Sequence, residues 1–170
     1  MGSFKHTQQD FNDEMNDLEL GLEKEQGCRE FYLQSAEQVT DARVKALYGW
    51  FANAATARID VLETVRAAAV TSQTWVAAMD QQLKTGDATV GPAPAFDPAA
   101  GGKPGKTEIM TLRQAIKLEK EVASVYFTAA QRSREDNIRA FYRYLGPIEE
   151  SHKQLLESYF DGLLKLVMKK

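Results

Sequence analysis

The chain has 170 residues, 44% of them hydrophobic and 26% charged, a balance suited to one soluble domain (residues 1–170) with a buried core. A formal net charge of −3 and a pI near 5.5 leave no basic footprint for nucleic acid, and no run reaches the ~18 apolar residues of a membrane span. Cys28 is the single cysteine, which excludes an intrachain disulfide, a rubredoxin-like iron centre and a zinc ribbon, and points to a reducing, cytoplasmic compartment.

In chain order, the polar stretch Met1 to Asp10 lacks the apolar region of a secretory signal. Residues 8–38 then carry Phe11, Met15, Leu18, Leu22, Cys28, Phe31, Tyr32 and Ala36 at three- and four-residue steps, which predicts a helix. Asp41 is placed to cap a second helix over 42–83, with a bend expected at Val70-Thr71-Ser72. Pro92, Pro94, Pro98 and Pro104 forbid a continuous helix over 84–107. This stretch reads as a long crossover, either a flexible strap or a partner-docking segment. Helices follow over 108–133 and 135–168, the last with Pro147 inside it and a kink or bulge expected just before Glu149. The fold expected is all-α: a four-helix bundle of two helical hairpins joined by the crossover.

Glu149 and His152 lie three residues apart, so they share one helix face. An inward Glu-x-x-His pair is what a carboxylate-bridged metal site takes from each of two helices in such a bundle. A single offset relates the two halves of the chain. Glu119, Tyr126 and Leu156 lie 94 residues after Glu25, Tyr32 and Leu62, and Ala140-Phe141-Tyr142 falls on Ala46-Leu47-Tyr48. One register across two helix pairs is the mark of a duplicated hairpin.

The residues Glu25 to Tyr32 (EQGCREFY), Lys45 to Leu62, Ala115 to Tyr126 (AIKLEKEVASVY) and Phe141 to Leu156 (FYRYLGPIEESHKQLL) resemble the rubrerythrin branch of the ferritin-like superfamily. The resemblance implies a ferritin-like bundle in which each half gives one Glu from its first helix and a Glu-x-x-His from its second, together holding two irons that react with oxygen or peroxide. Glu25, Glu119, Glu149 and His152 then take the metal-ligand positions. It also implies a homodimer, and it names no electron donor.

The second helix departs from the pattern, because Ala55 and Arg58 stand where the first Glu-x-x-His belongs. Asp60 lies about 140° around the helix from Ala55, and Glu63 more than two turns along, so neither compensates. The site is therefore degenerate, with at most one metal. One divalent cation, three carboxylates, Arg58 and a neutral His152 sum to zero charge, so a single iron, zinc or manganese at Glu119, Glu149 and His152 is permitted. A metal-free network with Arg58 as counter-ion is permitted equally, and a solvated Glu149-His152 face is the bland alternative. Two functions follow: an iron-dependent oxidoreductase acting on peroxide or oxygen, or a non-catalytic scaffold in which Arg58 replaces a metal. Arg58 is read as a structural counter-ion or as a snorkelling surface arginine. Tyr32 and Tyr126 read as core tyrosines bonded to carboxylates, with a radical or proton-relay role as the alternative. Cys28 reads as a small buried hydrophobe, Trp50 and Trp75 as packing or dimer-contact residues, and His6 as no ligand.

Overall fold

The computed structural model describes residues 7–72, 75–85 and 90–169, and among these every regular element is a helix. Helix α1 (Gln8–Gln38) opens on a capping box in which the Thr7 hydroxyl accepts from the Asp10 N–H at 3.1 Å and the Asp10 carboxylate from the Thr7 N–H at 3.0 Å. Three residues later α2 (Ala42–Ser72) begins, and Asp41 caps it as expected, accepting from the N–H of Arg43 at 2.9 Å.

The helix expected over 42–83 is two helices. Helix α2 ends at Ser72, and α3 (Trp75–Thr85) packs against both α2 and α5 (Asp136–Met168), with Met79 fully buried. The weak helix formers Val70, Thr71 and Ser72 lie at the break, where tertiary packing outweighs continuation of one long rod. The Trp75 side chain and His6 lie outside the described residues. Helix α4 (Lys106–Arg132) starts two residues earlier than expected, because Glu108 reaches back to accept from the Gly105 N–H at 3.0 Å. The same carboxylate accepts from the N–H groups of Thr40 (2.8 Å) and Asp41 (3.1 Å), tying the α1–α2 turn to the start of α4. Helix α5 runs unbroken through Pro147.

Helices α1 and α2 form one hairpin, α4 and α5 the other, and α1 packs on α4. All five helices feed one apolar core. Gly21 lets α1 and α4 approach, since a Cβ there would stand 3.1 Å from the ring of Tyr126. The core is rich in aromatic rings. Tyr32, Tyr48, Tyr126, Tyr142 and Tyr159 are each buried to about 1% exposure or less, so each hydroxyl needs an internal partner.

The described crossover residues, 90–105, form a fixed strap rather than a flexible one. Arg43 donates to the carbonyls of Pro98 (3.0 Å), Gly102 (2.9 Å) and Asp97 (3.3 Å), while its fork is held by Asp41. Trp50 donates to the Gly91 carbonyl at 2.8 Å and Tyr159 to that of Pro94 at 2.7 Å. Against the cost of burial, Arg43 and the backbone N–H groups hold the Asp41 carboxyl below its usual range, so this anchor stays ionised.

Candidate metal centre

Each helix of the two hairpins sends one or two polar side chains into the middle of the bundle. From α1 come Glu25 and Tyr32, from α2 Arg58, from α4 Glu119 and Tyr126, and from α5 Glu149 and His152. All are buried; even His152 is only 9% exposed. Asp60 and Glu63 are exposed, so no other α2 carboxylate replaces the missing ligand.

The 94-residue offset becomes a pair of mirrored hydrogen bonds. Tyr32 donates to Glu119 Oε1, and Tyr126, its counterpart, donates to Glu25 Oε1 at 2.6 Å. Each tyrosine thus reaches the carboxylate of the opposite hairpin, and both are bonded core tyrosines. The second helices break the mirror. On α5, His152 Nδ1 stands 3.0 Å from Glu149 Oε2 and 3.6 Å from Glu119 Oε2. On α2, Arg58 Nε donates to Glu149 Oε1 at 3.1 Å and lies 3.9 Å from Glu25 Oε1. Arg58 is a buried counter-ion, not a snorkelling surface residue.

Glu119, Glu149 and His152 each offer a donor atom, and these atoms lie within 4.8 Å of one another. Glu25 is not in that group. Arg58 bridges it to Glu149 instead, so the expected fourth ligand faces a guanidinium.

Do the three donors suit one ion? Bonds of about 2.0–2.2 Å to nitrogen and oxygen place neighbouring donors about 3.0–3.6 Å apart around a single metal. The two His152 separations fall in that range. The donor set also leaves the Oε2 atoms of both carboxylates on the ion's side, because Arg58 occupies Glu149 Oε1 and Tyr32 occupies Glu119 Oε1. The residues fit one borderline or hard divalent metal and leave no second donor set.

Electrostatics sort the carboxylates. Burial, together with the charge of Glu149, pushes the Glu25 carboxyl well above the usual carboxylate range, although Arg58 and Tyr126 oppose the shift. Burial raises Glu119 too, although His152 opposes the shift. Glu149 goes the other way: despite burial, its bond to His152 and the charge of Arg58 keep it ionised. His152 pays for desolvation but is pushed up to about 10 by Glu119 and Glu149. Burial and the same carboxylates raise Cys28, leaving an inert thiol.

Two residues beside the centre have no role there in the sequence reading, which takes Trp50 as a packing or dimer-contact residue and does not single out Phe51. Trp50 and Phe51 meet the His152 ring edge-on, at 5.4 and 5.3 Å between centroids, and Phe51 stacks on Tyr32 at 4.9 Å. Trp50 also holds the strap through Gly91, so indole and strap together cover the most exposed member of the cluster. No spacing signal marks them, because the 94-residue offset pairs them with Tyr144 and Leu145.

By fold and site, this is an all-helical bundle with a buried carboxylate–histidine–arginine cluster. The chain matches no protein-family model, no curated protein and no solved structure. Among the described residues no helix is long and apolar enough to cross a membrane.

Proposed function

We propose that the chain is a rubrerythrin-like protein of ferritin-like arrangement that binds one divalent transition metal at Glu119, Glu149 and His152. The convergence of His152 Nδ1 with the Oε2 atoms of Glu149 and Glu119 carries this reading. Iron is the metal the resemblance favours, and the donor set accepts manganese or zinc. A bound iron supplies redox chemistry toward peroxide or oxygen, which makes the protein an iron-dependent oxidoreductase of the cytoplasm.

The chain's own residues have separable tasks. Tyr32 and Arg58 fix the Glu119 and Glu149 carboxylates by their Oε1 atoms, so the Oε2 atoms keep a constant aim. Arg58 supplies a permanent positive charge between Glu149 and Glu25, on the side where this chain has Ala55 and Arg58 in place of the family's Glu-x-x-His. Glu25, held by Tyr126, has its carboxyl pushed towards the neutral form by burial and by the charge of Glu149. Trp50, Phe51 and the strap exclude bulk water from His152, which restricts entry to small molecules.

A second reading has its own observation. Two positive groups, Arg58 and protonated His152, already face two carboxylates, Glu149 and Glu119, while Glu25 is pushed towards its neutral form, so the cluster is compensated without an ion. A scaffold with a metal-free core would look like this. Metal content decides between them. Protein purified without a histidine tag and exposed to iron(II), manganese or zinc is expected to retain about one metal per chain. Glu149→Ala is expected to retain none. Wild-type protein that holds no metal, and whose melting temperature does not move with metal or chelator, would establish the scaffold.

A further inference from the structure

One end of the bundle, where α1 begins and α4 turns into α5, holds a second polar cluster. The duplication shows what it lacks. At the opposite end Glu108 accepts from the N–H groups of Thr40, Asp41 and Gly105, and Thr111 accepts from the Tyr48 hydroxyl at 2.8 Å. Their counterparts 94 residues earlier, Glu14 and Asp17, instead line an open cavity of about 330 Å³ with Asp10, Asp13, Arg132 and Arg134.

Asp10, Asp13, Glu14 and Asp17 follow at three- and four-residue steps, so four carboxylates share one face over two turns of α1, about 10 Å. A helix N-terminus favours acids within its first turn, which leaves Glu14 and Asp17, both buried, outside that explanation. Burial raises the Asp17 carboxyl against the pull of Arg132. Behind them the Tyr142 hydroxyl is fully buried and has no hydrogen-bond partner among the described residues. The charges that act on it are those of Asp17, Glu14 and Arg132, all three at the cavity. Its counterpart Tyr48 donates to the residue that matches Asp17, so both hydroxyls point the same way along their hairpins.

The arginines close the cavity only from outside. Arg132 pairs with Asp17, its side chain 62% exposed against 7% for the carboxylate, and Arg134, 72% exposed, pairs with Asp10 at 3.3 Å. Ion pairs this exposed are weak, so both guanidiniums are exchangeable. Four carboxylates against two guanidiniums leave an excess of two negative charges. A bare metal ion does not suit them: the one group of donor atoms that converges within 4.8 Å among the described residues is Glu119, Glu149 and His152. Carboxylates spread along a helix suit a cation whose charges are spread along a chain. We propose that this cavity binds a small aliphatic diamine, a dication with an ammonium group at each end of a short carbon chain. One ammonium replaces the Arg132 guanidinium beside Asp17 and Glu14 and gives the Tyr142 oxygen its missing hydrogen bond. The other lies nearer the mouth, against Asp13 and Asp10. The site does not depend on the metal reading.

Isothermal titration calorimetry of the full, chelator-treated chain with putrescine at low salt tests it, with circular dichroism to verify the helices of each variant. Wild type is expected to bind about one diamine per chain more tightly than about 1 mM, and more weakly as salt rises. Glu14→Gln, Asp17→Asn and the exposed Asp13→Asn should each weaken binding by about tenfold or more. Tyr142→Phe should weaken it about fivefold and leave the melting temperature without diamine unchanged. Butylamine, with one charge, and magnesium or calcium, with two charges at one point, should bind at least about tenfold more weakly than putrescine. Asp60→Asn with Glu63→Gln, which removes two exposed acids on α2, should bind like wild type. No binding of putrescine, equal binding of butylamine or of either metal, an unaffected Asp13→Asn or Tyr142→Phe variant, or an equal loss in the α2 control would each overturn the proposal.

Discussion

The two hairpins present the same tyrosine–carboxylate bond to the centre of the bundle, yet only one presents a Glu-x-x-His pair. On α5 the pair is Glu149 and His152; on α2 the same positions are Ala55 and Arg58. In place of a carboxylate, an imidazole and a second ion, α2 offers a methyl group and a guanidinium. The permanent charge of Arg58 holds Glu149 from the side opposite His152, which is what one lost metal would leave undone. The lesson is that a guanidinium on one hairpin can hold in place a carboxylate and, through it, a histidine on the other.

The strongest way to break this comparison is to remove the replacement. Arg58→Met leaves Glu149 ionised in the core with only His152 beside it, and should cost about 3–5 kcal/mol of unfolding free energy in chelator-treated protein. The cost should shrink at low pH, where protonation of Glu149 removes the uncompensated charge. Urea unfolding at two pH values measures both effects, and equal costs at the two values would contradict the role given to Arg58.

A smaller effect comes from pH alone in chelator-treated wild type. His152 binds its proton more tightly in the folded chain, so it stabilises the fold fully below the unfolded value of 6.5, and that contribution is lost as pH rises through about 10. Glu25 and Glu119, whose folded pKa values are also raised, push in the same direction. Glu149, kept low, contributes above the ordinary carboxylate range and loses its contribution only in acid. Metal-free protein should therefore melt at progressively lower temperature from neutral pH towards pH 10, a trend scanning calorimetry resolves. A flat profile would mean that His152 is neutral in the fold.

The smallest expected effect lies at the ends of the bundle, where the mirror also fails. Tyr48 donates to Thr111 at 2.8 Å, whereas its counterpart Tyr142 has no hydrogen-bond partner for its buried hydroxyl. The residue matching Thr111 is Asp17, which is taken by Arg132. Tyr48→Phe should cost about 1 kcal/mol, and Tyr142→Phe close to nothing or slightly less than nothing. Paired unfolding curves give the difference directly.

Much of this was legible in the chain itself. Periodicity and the 94-residue offset give the hairpins, and the offset with a three-residue spacing gives Glu119, Glu149 and His152 as one group. The break at Ser72 was only half legible: Val70, Thr71 and Ser72 weaken the helix, but the direction α3 takes depends on contacts with α5. Glu25 stands apart from the group of Glu119, Glu149 and His152 because the offset carries residue identity and not the side chain across from it, and Arg58 lies between Glu25 and Glu149. The fixed strap was hidden for the same reason, since Arg43, Trp50 and Tyr159 bond to its backbone carbonyls, and carbonyls have no sequence.

The comparison between the two hairpins rests on Arg58 filling the position of a second ion. Metal stoichiometry of Ala55→Glu with Arg58→His, measured beside wild type by mass spectrometry on tag-free protein, addresses it most directly. The mirrored ligands should raise the content from about one to about two metals per folded chain. A folded variant that still binds one metal, or none, would show that the α2 positions do not face the centre as their counterparts on α5 do.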